Sequence, residues 1–78
     1  MERRKRRRWK KEGVRALRRH LGLTQAKLAE ELGIRQQTVS EWETGMYQPR
    51  GTSATLLNII AERSGFDYKA EEEHDKSN

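Results

Sequence analysis

A chain of 78 residues with no cysteine and a net charge of +5 is one small domain, without disulfides or a thiolate metal site. Runs of large apolar side chains stop at two residues, Leu56–Leu57 and Ile59–Ile60, which excludes a membrane span or a secretory leader and points to a soluble, cytoplasmic protein. The charge is uneven: residues 1–11 carry +7, residues 12–66 carry +1 and residues 67–78 carry −3, which suggests a polyanionic partner met mainly at one end.

Residues 1–9 show no helical apolar stripe and read as a basic arm. From Lys10 the pattern changes, because Val14, Leu17 and Leu21 recur at steps of three and four. That spacing predicts a first helix from Lys10 to Leu21, stopped by Gly22. Thr24 is a good N-cap for a second helix over Gln25–Leu32, with Leu28, Ala29 and Leu32 on its buried face and Gly33 at its end. Ile34 and Arg35 make a short turn into a third helix, Gln36 to Thr44, which stops at Gly45. "MYQPRGTS" is a loop. Thr52 or Ser53 is expected to cap a fourth helix that buries Leu56, Leu57 and Ile60 and ends before Gly65. The acidic tail, 67–78, is most simply disordered. No strand pattern appears. The expected fold is all-α, a compact four- to five-helix domain over residues 10–66.

Two short helices joined by a tight glycine turn make a helix-turn-helix layout. Its geometry is demanding. Leu28, Leu32, Ile34, Val39 and Trp42 must share one core, Ala29 must be small where the helices cross, and Gly33 must take a backbone that strains other residues. All seven positions carry suitable residues.

With "GLTQAKLAEELGI", "TVSEWETG" and the later Pro49, the region from Val14 to Ile60 resembles the lambda-repressor-like, Xre-type helix-turn-helix family. "QPRGTSATLLNII" further resembles small antitoxin-type members. The family usually has a Ser or Thr cap where this chain has Arg35. The resemblance implies a DNA-binding regulator, in which the start of the second motif helix enters the major groove.

That placement explains an odd choice of residues. Gln36 and Gln37 stand where a short capping side chain would stabilise the helix best. A Gln amide instead matches adenine's N6–H and N7 as a bidentate pair. Both therefore read as base-contacting, and the resemblance implies the same. Glu41, four residues after Gln37, would accept from cytosine N4, and Ser40 and Thr38 are candidates for thymine-methyl or phosphate contact. Without the motif, each of these residues is an ordinary solvated side chain.

Gln25, by the resemblance, contacts a phosphate and supports the first groove-reading Gln; the helix N-terminus favours an anion there. Arg35, Tyr47, Gln48 and Arg50 flank the groove helix and would also meet phosphates. The resemblance further implies that Arg18 and Glu43 pair and lock the groove helix to the scaffold. Trp42 is expected in the core, whereas Trp9 would cover the first helix or lie on DNA sugars. In the arm, Arg6, Arg7 and Arg8 belong to eight cations in nine positions, more than solubility requires. Phosphate contact is favoured over a solvated tail or an import signal.

The leading expectation is a transcriptional regulator, more specifically a repressor, that binds double-stranded DNA as a homodimer in the nucleoid. The alternative is an antitoxin that regulates its own operon and neutralises a toxin partner. An RNA-binding or protein-interaction module ranks below these. His20 and His74 are the only histidines and join no triad or metal cluster, so no catalysis, cofactor, metal or small-molecule ligand is expected.

Overall fold

The structure is a computed structural model and describes residues 9–66. Four helices follow in order: α1 (Lys11–Leu21), α2 (Gln25–Leu32), α3 (Gln36–Thr44) and α4 (Thr52–Ser64). Among the described residues there is no strand and no fifth helix. The arm cations Arg6, Arg7 and Arg8, the tail 67–78 and His74 lie outside them.

The first three helices follow the sequence pattern closely. Lys10 is the N-cap of α1 rather than its first residue. Thr24 caps α2, its hydroxyl accepting from the Lys27 N–H at 3.0 Å. Arg35 opens α3 with an extended backbone and no side-chain cap, so the missing Ser or Thr does not move the helix start. Between α2 and α3 the chain reverses at Gly33, whose φ of 74° sends its own N–H to Glu30 O and the next N–H, that of Ile34, to Ala29 O. A side chain at Gly33 would meet no neighbour within 4 Å, so its requirement there is conformational, not steric.

α4 departs from expectation at its start. Neither Thr52 nor Ser53 caps it; Gly51 is the N-cap, at φ 56° and ψ −128°. Only glycine takes that conformation without strain, and it lets the Gly51 carbonyl accept from Thr55 at 3.1 Å. The buried stripe also differs. Leu57 and Ala61, one turn apart, are fully buried, while Leu56 and Ile60 are partly buried at its flanks. Ala61 is easily overlooked because a small apolar residue weakens any periodic signal.

The core joins Val14 and Leu17 of α1, Leu28, Ala29 and Leu32 of α2, Val39 and Trp42 of α3, and Leu57 and Ala61 of α4. Ile34 packs partly buried against it. α3 packs most extensively on α2 and next on α1. Ala29, 2% exposed, therefore sits under the main helix crossing. Ala29→Leu is expected to overpack it and cost roughly 1–3 kcal/mol. An unchanged urea midpoint would show that the α2–α3 contact is looser than described.

Trp9 closes the far side of the core. It is 3% exposed, and its Nε1 donates to Asn58 Oδ1 at 2.8 Å. Phe66 stacks on it with ring centroids 6.5 Å apart. His20 lies 5.3 Å from Phe66, centroid to centroid, and its Nε2 donates to the Ser64 carbonyl at 2.9 Å. These contacts fasten the C-terminal end of α4 to α1 and to the segment before it.

Candidate nucleic-acid interface

α3 has two unlike sides. Val39, Trp42 and Glu43 are buried, which fixes the rotation of the helix about its axis. Gln36 and Gln37 are consequently exposed on its first turn, and Thr38, Ser40 and Glu41 are half-buried. Arg35, Tyr47, Gln48 and Arg50 are exposed on either side of the helix, with Tyr47 at 61%. Pro49 is buried and pins the loop between Gln48 and Arg50.

Beneath this surface lies a charged network centred on Glu43, 3% exposed. Arg18 Nε donates to Glu43 Oε2 at 2.7 Å and its second terminal nitrogen to Oε1 at 3.0 Å, a bidentate pair. Arg18 also donates to the Leu23 carbonyl at 3.1 Å, so one guanidinium ties α3 to the turn between α1 and α2. Arg15 donates to the Glu43 main-chain carbonyl at 2.8 Å. Sequence reading missed this residue, although Arg15 precedes Arg18 by three and so shares its helix face.

Gln25 faces inward with its amide. Its Nε2 donates to Glu43 Oε1 at 3.1 Å, which leaves Oε1 and one N–H of the amide for other partners. Burial alone would raise the Glu43 pKa. The hydrogen bonds from Arg18 and Gln25, with the charges of Arg18 and Arg15, outweigh it and hold the carboxyl below its ordinary range. Reciprocally, the hydrogen bond to Glu43 raises the pKa of Arg18 despite burial.

A second polar contact lies on the exposed side. Gln37 Nε2 donates to Glu41 Oε2 at 3.1 Å, across one helical turn. The two residues picked out separately in the sequence thus form one unit. Among the described residues, no cluster of His, Asp or Glu is arranged to hold a metal ion, and no helix is long and apolar enough to cross a membrane.

Comparison with known proteins agrees with this architecture. A helix-turn-helix family model matches residues 14–62. A protein of Methanothermobacter thermautotrophicus, described as an uncharacterized HTH-type transcriptional regulator, is 40% identical over 55 residues, covering 70% of this chain and 75% of that protein. No solved structure gives a significant match. The matched segment takes in all four helices but for the first residues of α1 and the last of α4, and the chain belongs to the helix-turn-helix family, of the lambda-repressor-like type.

Proposed function

We propose that this chain is a sequence-specific DNA-binding transcriptional regulator that reads the major groove with the first turns of α3. One observation carries the reading: two exposed glutamines open a helix whose opposite face is locked by Val39, Trp42 and the Glu43 network. Long amides held on a rigid base suit base-edge recognition. Arg35, Tyr47, Gln48 and Arg50 would meet phosphates around them, and the basic arm would add contacts that do not depend on sequence. The name of the archaeal relative, a transcriptional regulator, supports the same class. Such a module reads few base pairs, so two copies would act on half-sites about one DNA turn apart.

Selection of bound duplexes from a random pool would test specificity and report half-site spacing. Gln37→Ala should then leave affinity for random DNA and its salt dependence nearly fixed. Binding to the selected site should fall by roughly 1–3 kcal/mol at one base position per half-site. The helix should survive, because alanine propagates a helix at least as well as glutamine. Full site preference in that variant at matched salt would remove Gln37 as a reader.

A further inference from the structure

We propose that Gln37 and Glu41 read DNA as one coupled unit, in which Glu41 orients the Gln37 amide and restricts a nearby base to one that carries a major-groove amino group. The inference rests on the proposed DNA-binding function and makes it more specific. Its first ground is the direction of the Gln37–Glu41 hydrogen bond. A carboxylate only accepts, so the amide nitrogen, not the oxygen, must face Glu41. The ambiguity in amide orientation that usually attends a surface glutamine is thereby removed. What remains is Oε1 and one N–H, the acceptor and donor that adenine's N6–H and N7 require.

The second ground is the state of Glu41 itself. Its main chain is well anchored: the Glu41 carbonyl accepts from the Thr44 hydroxyl at 3.1 Å and from the Met46 N–H at 3.0 Å. Among the described residues, no Lys or Arg forms a salt bridge with it. Among the described residues its carboxylate is met by Gln37 alone, in an exposed hydrogen bond, and a carboxylate pressed against DNA loses hydration that a donor on a base would offset. In the major groove, only cytosine N4 and adenine N6 supply one. Guanine presents N7 and O6, and thymine presents O4, all acceptors that repel a carboxylate. Glu41 therefore selects largely by exclusion. Four residues rise about 6 Å along a helix and base pairs stack about 3.4 Å apart, so the restricted position lies one or two base pairs from the adenine.

The experiment is parallel selection from a random duplex pool with the parent, Glu41→Gln and Glu41→Ala at matched salt, each variant checked for an unchanged thermal midpoint. The parent should show an adenine column and, one or two pairs away, a column of cytosine with some adenine. Glu41→Gln removes the charge but keeps an amide oxygen to hold Gln37. It should admit guanine and thymine at the second column, with roughly tenfold less discrimination, and keep the adenine column. Glu41→Ala should relax both columns. A parent motif left unchanged in both variants overturns the coupling alone. A parent that enriches no motif overturns the coupling together with the DNA-reading function on which it rests.

Discussion

Arg18→Leu is expected to destabilise the fold by roughly 3–5 kcal/mol, the usual cost of leaving one half of a buried ion pair uncompensated. The whole core of a domain this small rarely supplies more than about 3–5 kcal/mol, so the variant should be largely unfolded at room temperature. Leucine retains much of the apolar stem, and the loss is mainly that of the charge partner. Glu43, 3% exposed, would keep Gln25 and Arg15 but lose its bidentate donor. Replacing both Arg18 and Glu43 with leucine should cost less than Arg18→Leu alone, because no buried charge is then left over. Urea unfolding of the four proteins in that cycle tests the coupling, and simple additivity of the two single losses would refute it.

The same network makes stability depend on acid. Glu43 has a folded pKa below its ordinary value of 4.5. Its contribution is therefore complete above that value and is lost as pH falls through the folded pKa. Glu43→Gln removes this dependence. The stability gap between parent and variant should be widest near neutral pH and should narrow as pH drops below about 4.5. A gap that stayed constant into acid would mean that Glu43 stabilises by shape and not by charge.

The difference between what the chain reveals and what it hides follows the range of the interactions. Thr24, Gly22, Gly33, Gly45 and Gly65 act within one turn of their own helices, so their roles are legible residue by residue. The apolar steps Leu28–Leu32 and Val39–Trp42 likewise repeat with the helical period and mark the buried faces. Gly51 is hidden because the neighbouring Thr52 and Ser53 offer a more familiar cap. Trp9 with Asn58 and His20 with Ser64 join residues 49 and 44 positions apart, and no local spacing encodes them. Arg18 and Glu43, 25 positions apart, are paired in the sequence only through family likeness, not periodicity.

The candidate site is legible in a different sense. Gln36 and Gln37 stand out as long neutral amides in the first turn of α3, just after an Arg35 N-cap whose side chain makes no capping bond, a local conflict that often marks function. That Gln37 and Glu41 share a face of α3 can be read from helix phase. Their mutual hydrogen bond cannot, since either side chain could equally extend into solvent. Family likeness gives Gln25 a phosphate contact but no hint of its hydrogen bond to Glu43. A buried carboxylate attracts the nearest donor, and that preference emerges only once α3 is laid beside α2.

Removal of residues 2–8 should have the largest effect on binding to DNA, and it should act on affinity rather than on choice. The deletion takes away six Lys or Arg and one Glu. Every phosphate that is no longer neutralised changes the slope of log affinity against log salt by about 0.9, so the slope should flatten by up to roughly five. Affinity at low salt should fall by orders of magnitude for selected and scrambled duplexes alike, and their ratio should hold. Fluorescence anisotropy titrations of both duplexes over a range of salt measure all three quantities. An unchanged slope would make the arm a solvated tail. A ratio that collapsed along with the slope would mean that an arm arginine enters the minor groove and reads its width, giving the arm a share in specificity that α3 alone would otherwise hold.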